Sequence, residues 1–145
     1  MVYKALPLQA IRIVPRVEHW RDAIRSVGEL LEVTGRTTPE YTTEMLANIE
    51  ALGPYVVSAP GIALAHSRPS PAVLETGLAL LRIDDGVDFG SRNDPVRLLF
   101  GFAAFDNSSH IDLIKALAGF LTDPSIVNSL LQAQDAATMR SILGA

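Results

Sequence analysis

The chain has 145 residues, a length that suits one domain with a substantial buried core. Hydrophobic residues make up 48% of it and charged residues 19%, which excludes the composition of a disordered chain. The formal net charge is -4, and Lys4 and Lys115 are the only lysines. Since binding to nucleic acid needs clustered basic residues, the composition also argues against a nucleic-acid partner.

The absence of cysteine excludes disulfides, zinc thiolate sites and thiol catalysis, and it is compatible with a reducing compartment. The first residues lack the apolar core of a signal peptide, and no run approaches the ~20 apolar residues of a membrane helix. We therefore expect the protein to be cytoplasmic.

The N-terminal part of the chain predicts a strand followed by an amphipathic helix. Ala10–Val14 alternates between apolar and polar residues as a short strand does, and Pro15 ends it. From His19 onward, apolar residues recur at helical spacing until Gly35 supplies a stop. At the start of this helix we expect His19 at the surface and Trp20 in the core.

A second helix begins near a pair of threonines. Either Thr37 caps it and Glu40 reaches back, or Thr38 caps it with Pro39 at the first helical position. Gly53 and the following proline end this helix. Its predicted buried stripe consists of Tyr41, Met45, Ile49 and Leu52.

The middle of the chain predicts four strands, because its apolar runs are short and bounded by Gly, Pro or Asp. These runs are Tyr55–Ser58, Ile62–Ala65, Thr76–Ile83 and Arg97–Phe105. After Arg97 the last run is apolar throughout, as expected for a central strand covered on both faces. Between the last two strands, the acidic residues around Gly86 predict a solvated turn, namely Asp84, Asp85 and Asp88.

Three helical stretches close the chain. The first has a predicted apolar stripe of Ile111, Ile114, Leu117, Ala118 and Leu121. Asp123 can cap the second, with Pro124 at its first position, and Asp135 can cap the third. Helices before and after the strands predict an α/β fold: a single layered domain over 1–145, with a four- to five-stranded mixed sheet and helices on both faces.

Common catalytic motifs are absent from the sequence: there is no phosphate loop, dinucleotide fingerprint, His-Glu-x-x-His pair or Gly-x-Ser-x-Gly elbow. His66, His110 and Asp106 do not stand at helical ligand spacing, so we expect neither a metal nor any other cofactor. With only three histidines in the chain, imidazole is the scarce group that could carry chemistry near neutral pH.

His66 and His110 each follow a predicted strand, so they meet at one end of the sheet if those strands run parallel. His110 stands in or just before the first turn of a helix, where free N–H groups and the helix dipole favour an anion. A phosphoryl group on His66 would then meet His110 and either the Ser67 hydroxyl or the Arg68 guanidinium. The alternative is that both histidines are ordinary polar residues without a function.

Two segments carry a resemblance to a known family. Gly53–Pro69 resembles the active-site region of enzyme IIA components of the bacterial sugar phosphotransferase system, in the mannitol/fructose superfamily and closest to the ascorbate-type branch. Asp94–His110 is similar to the family's strand that leads to its second active-site histidine. The resemblance extends from about Ile11 to the end of the chain.

The resemblance implies roles for both histidines. His66 matches the histidine that accepts a phosphoryl group from the phosphocarrier protein HPr, and His110 matches the histidine that assists it. The group then passes to a cysteine of enzyme IIB and drives uptake through a membrane IIC component. The expected protein is a free-standing IIA phosphotransferase for an ascorbate-like or pentitol-type substrate.

The chain departs from the family pattern at three places. Ala65 stands where proline usually precedes the phosphorylated histidine, and Ser67 stands where glycine or alanine often follows it. The stretch 46–50 lacks the arginine of mannitol-type members, and our hypothesis is that Arg68 supplies that cation. Two alternatives remain: a regulatory module of the same fold whose phosphorylation controls a partner, and a catalytically silent binding protein.

Overall fold

A five-stranded mixed sheet forms the centre of the computed structural model, which describes residues 2–144. The strands lie in the order β1-β4-β5-β3-β2. Their bounds are β1 Ile11–Val14, β2 Val57–Ala59, β3 Ile62–Ala65, β4 Gly77–Val87 and β5 Val96–Ala103. β1 is parallel to β4 and β3 is parallel to β5, whereas β4 and β5, and β2 and β3, pair antiparallel. The predicted mixed sheet is confirmed.

Helices precede and follow the strands in the chain. They are α1 Val2–Ala5, α2 Trp20–Val33, α3 Pro39–Leu52, α4 Asn107–Leu121, α5 Pro124–Gln132 and α6 Ala136–Gly144, and a short 3-10 turn spans Leu8–Ala10. Of the two predicted starts for the second helix, the structure has Thr38 as the cap with Pro39 following. The carboxylates of Asp123 and Asp135 cap their helices, as the sequence predicts, by accepting hydrogen bonds from backbone N–H groups of the first turn.

Helices pack on both faces of the sheet, because successive side chains of the central strands point to opposite faces. On one face, α2 lies so close to β5 that a Cβ at Gly101 would collide with Val27. On the other face, the buried Arg82 of β4 donates hydrogen bonds to the carbonyls of Leu130 and Ala133 at the end of α5. The sheet is therefore the middle layer of three, which is the predicted arrangement.

Several sequence predictions about the elements are wrong. β4 continues to Val87 instead of turning at Asp84, because the Asp85 N–H pairs with the Pro15 carbonyl. Leu52, the last residue of α3, is 70% exposed rather than buried. In the predicted stripe of α4, Ile111 is 50% exposed and Ala118 is exposed as well, and the buried residues of this helix are Leu113 and Leu117.

The aromatic group at the start of α2 is only half-buried. Trp20 stacks on Phe89 with ring centroids 5.8 Å apart, and the Arg21 guanidinium lies 4.5 Å from the Trp20 ring. His19 is exposed, as predicted, and its Nδ1 accepts the Arg21 N–H. Trp20 therefore packs at the edge of the core rather than inside it.

The parallel pairing of β3 with β5 positions the candidate site. Ala65, the last residue of β3, is the register partner of Gly101 in β5. Both strands therefore end at the same edge of the sheet. From that edge the chain continues directly into His66 on one side and, through Asp106, into α4 on the other.

Candidate functional site

The structure brings His66 and His110 together at this edge, with ring centroids 5.2 Å apart. His66 follows β3, and His110 lies in the first turn of α4. Phe102 of β5 contacts both rings: it stacks on His66 at 4.7 Å and 17°, and its centroid is 5.3 Å from that of His110. Two strands and one helix thus fix the positions of the two imidazoles.

One nitrogen of His66 is engaged with the backbone. Nδ1 lies 3.0 Å from the carbonyl oxygen of Leu64, within the preceding strand. A carbonyl oxygen only accepts hydrogen bonds, so the neutral ring that makes this bond carries its proton on Nδ1. Nε2 is then left with a free lone pair, which is the form that acts as a nucleophile.

His110 is half-buried and faces His66. Burial lowers the pKa of His110, and electrostatic repulsion from His66 lowers it further. Its Nδ1 is buried and has no hydrogen-bond partner among the described residues. Both effects favour a neutral ring at His110 near pH 7 while the site carries no anion.

Ser67 is buried and bonded through both its backbone and its side chain. Its N–H donates to the Tyr41 hydroxyl at 2.9 Å, and its Oγ accepts from Asn48 Nδ2 at 3.0 Å. A hydroxyl that accepts from an amide keeps its own proton for another acceptor. Ser67 therefore retains one donor beside His66, on the wall of the same cavity.

Arg68 is exposed and borders two cavities at the site. One, of about 480 Å³, is lined by Asn48, Leu52, Tyr55, His66, Ser67 and Arg68. The other, of about 570 Å³, is lined by Arg68, Pro69, Asp106, Asn107 and His110. The Arg68 side chain thus lies between the cavity that His66 lines and the cavity that His110 lines.

The start of α4 already holds an anion, which differs from the expectation of free N–H groups there. The Asp106 carboxylate accepts the Ser109 N–H at 2.8 Å, and these backbone and hydroxyl contacts with Ser109 lower the pKa of Asp106. The carboxylate is ionised at neutral pH and compensates the helix dipole itself. The N-terminus of α4 therefore attracts a second anion less than the sequence predicts.

Three residues of the site did not stand out in the sequence. Tyr41 fits an apolar helical stripe, Asn48 falls in a stretch noted for lacking arginine, and Phe102 belongs to an apolar strand. The sequence does indicate that Tyr41 has a polar contact, because a buried tyrosine hydroxyl needs a hydrogen-bond partner. The identity of that partner depends on the tertiary fold.

Within residues 2–144, no three His, Asp or Glu side chains lie close enough together to hold a metal ion. The same part of the chain contains no helix that is both long and apolar enough to cross a membrane.

Comparison with curated proteins identifies close relatives of two substrate types. The chain is 32% identical over 138 residues to the mannitol-specific cryptic phosphotransferase enzyme IIA component of Escherichia coli strain K12, covering 94% of this chain and 93% of the relative. It is 37% identical over 103 residues to the ascorbate-specific PTS system EIIA component of Shigella boydii, covering 70% and 67%.

Solved structures show the same fold. The solution structure of the mannitol-specific cryptic enzyme IIA from Escherichia coli superposes with a TM-score of 0.90 at 30% identity, covering 99% of this chain and 98% of that one. The mannitol IIA of Escherichia coli, in its complex with phosphorylated mannitol IIB, superposes with a TM-score of 0.83 at 30% identity, covering 95% and 97%.

The family described as phosphoenolpyruvate-dependent sugar phosphotransferase system, EIIA 2, matches residues 5–145. Sequence, fold and comparisons agree on one assignment. The chain belongs to this EIIA family, and like its members it is a phosphotransferase of the sugar phosphorelay.

Proposed function

We propose that this protein carries a phosphoryl group on Nε2 of His66, accepting it from phospho-HPr and passing it to a cysteine of an enzyme IIB. The observation that carries the proposal is the bond between His66 Nδ1 and the Leu64 carbonyl. This bond commits one nitrogen to the fold and leaves the other as the nucleophile.

In the first transfer, the Nε2 lone pair of His66 attacks the phosphorus of phospho-HPr. A P–N bond forms at Nε2 while the bond from phosphorus to the donor atom of HPr breaks, and its electron pair stays on HPr. The Nδ1 proton remains in its bond to the Leu64 carbonyl and disperses the positive charge that develops on the ring. The chain itself then needs to supply only orientation and charge stabilisation.

Three neighbouring side chains are suited to stabilise the transferred oxygens. Ser67 has a hydroxyl proton available, because its oxygen already accepts from Asn48. His110 stands 5.2 Å from His66, ring centre to ring centre, as a second imidazole donor. Arg68 adds a positive charge where the two cavities meet. Preorganised donors of this kind lower the barrier most when charge develops between them.

In the second transfer, a thiolate of the IIB partner attacks the same phosphorus. The P–N bond breaks, its electrons return to Nε2, and the neutral imidazole is regenerated. The mannitol IIA that shares this fold has been solved in complex with phosphorylated IIB, which supports this acceptor. In our proposal the relay operates in the cytoplasm and feeds a membrane IIC component for an ascorbate-like or pentitol-type substrate; an ascorbate-specific relative supports the former.

The test is phosphoenolpyruvate-dependent labelling by enzyme I and HPr, followed by acid treatment and site mapping. We expect acid-labile label on His66 of the wild type and none in His66→Ala. The matched control is His19→Ala, since His19 is exposed and caps α2 away from the site. Absence of label in the wild type, or unchanged label in His66→Ala, would refute the proposal. Rapid discharge to IIB supports transport, whereas discharge only to a regulator supports the regulatory alternative.

A further inference from the structure

We propose that Tyr41 is a positioning residue for phosphoryl transfer, whose hydroxyl joins the backbone beside His66 to the backbone of Phe102 and so holds the His66 imidazole in place. The inference rests on the proposed phosphoryl transfer at His66. It concerns a residue of α3 that does not contact the reacting atoms.

The Tyr41 hydroxyl contacts backbone groups of two separate segments. It donates to the Phe102 carbonyl at 2.7 Å and accepts the Ser67 N–H at 2.9 Å, and the Ser67 carbonyl lies 3.2 Å away. The side chain is fully buried, so water does not replace these contacts. A single hydroxyl thus serves as donor to one segment and as acceptor for the other.

This bridge stands where the strand pairing ends. β3 and β5 are paired as far as Ala65 and Gly101, and the next residues are His66 and Phe102. Beyond that point the Tyr41 hydroxyl links Ser67 to Phe102 in place of a ladder hydrogen bond. The His66 backbone is therefore held on its N-terminal side by the sheet and on its C-terminal side by Tyr41.

The same bridge supports the surface on which the imidazole rests. The Phe102 ring stacks on His66 at 4.7 Å, and the carbonyl of Phe102 is the one that Tyr41 holds. Burial raises the pKa of Tyr41 far above its ordinary value, so the hydroxyl keeps its donor proton at every physiological pH. The hydroxyl therefore remains able to donate to the Phe102 carbonyl over this whole pH range.

Tyr41→Phe removes the hydroxyl and keeps the ring. We expect the share of His66 with its proton on Nδ1, read from imidazole ¹⁵N shifts, to fall in this variant. We also expect kcat for transfer from phospho-HPr to fall roughly 10- to 100-fold, because small misplacements of a reacting group are costly. KM for phospho-HPr should stay within about twofold, since Tyr41 is buried and contacts no partner.

Two further variants separate positioning from loss of stability. Leu130→Ala removes buried side-chain volume in α5, beside the Arg82 contacts and outside the Tyr41 bridge, and controls for a destabilised core. It should leave the His66 proton distribution unchanged. If Tyr41→Phe does not fold, 4-aminophenylalanine at position 41 keeps the donor to the Phe102 carbonyl but is a weak acceptor for the Ser67 N–H. This variant should therefore lower both the share of His66 with its proton on Nδ1 and kcat.

Wild-type proton distribution and kcat in folded Tyr41→Phe would overturn the inference, as would equal changes in Leu130→Ala. Wild-type values of both in the folded 4-aminophenylalanine variant would also overturn it. The ¹⁵N measurement uses unphosphorylated protein. If wild type takes no label at His66, the proposed function fails while the ¹⁵N result still decides whether Tyr41 orients the ring.

Discussion

The two imidazoles of the site differ in the hydrogen bonding of their Nδ1 atoms. His66 has its Nδ1 bonded to the Leu64 carbonyl, whereas His110 Nδ1 is buried without a partner in the described part of the chain. The first arrangement selects a tautomer, and the second leaves a ring whose charged form is disfavoured. In the function we propose, His66 is therefore the nucleophile with a fixed proton, and His110 is the neutral neighbour that responds to charge.

Phosphorylation of His66 should raise the pKa of His110. Without phosphate, burial and repulsion from His66 both depress that pKa. A phosphoryl group brings about two negative charges, which favour the protonated form of a neighbouring imidazole. An NMR titration of the His110 ring protons before and after phosphorylation measures the change. A lower or unchanged pKa in the phosphoprotein contradicts a stabilising contact between His110 and the phosphoryl group.

Arg68→Ala should slow phosphoryl acceptance roughly tenfold without altering the fold, because it removes an exposed cation at the meeting point of the two cavities. Rapid-quench kinetics with phospho-HPr measures the rate at low and at high salt. The matched control is Arg92→Ala, which removes an exposed arginine from the β4–β5 connection, at the other end of the sheet. Equal rates in both variants and the wild type would show that Arg68 has no role in phosphoryl acceptance.

At the scale of elements, α2 packs tightly on β5 at the position where β5 pairs with the end of β3. Gly101 lies directly under Val27 of α2, and it is also the register partner of Ala65. A residue with a side chain at this position would push the helix and the strand apart. The packing of α2 against β5 thus affects Ala65, the residue that precedes His66.

Gly101→Ala should lower the free energy of unfolding by roughly 1–3 kcal/mol, the usual cost of an overpacked core. Gly119→Ala is the matched control, since a Cβ there meets nothing within 4 Å and the position lies inside α4. Replacing a helical glycine by alanine should stabilise by roughly 0.5–1 kcal/mol. Urea unfolding of both variants measures the difference, and a destabilised Gly119→Ala with a neutral Gly101→Ala would contradict this packing.

Over the whole molecule, the elements were more predictable than the contacts of the site. The caps at Asp123 and Asp135 and the strand at Ile62–Ala65 follow from local rules of spacing and hydrogen bonding, and the structure has them. β4 overran its predicted turn because its extension pairs with Pro15, a contact distant in the chain. The same limit applies to Tyr41, whose partners at Ser67 and Phe102 are fixed only once three elements have packed.

The Phe102 ring also makes the site observable. An aromatic ring that stacks at 4.7 Å and 17° on His66 shields the carbon-bound protons of that imidazole by its ring current. His110 meets the same ring at 54° and 5.3 Å, so its protons experience a different local field. The two histidine signals should therefore separate in a proton spectrum. The arrival and departure of phosphate could then be followed on each histidine in the unmodified protein during turnover.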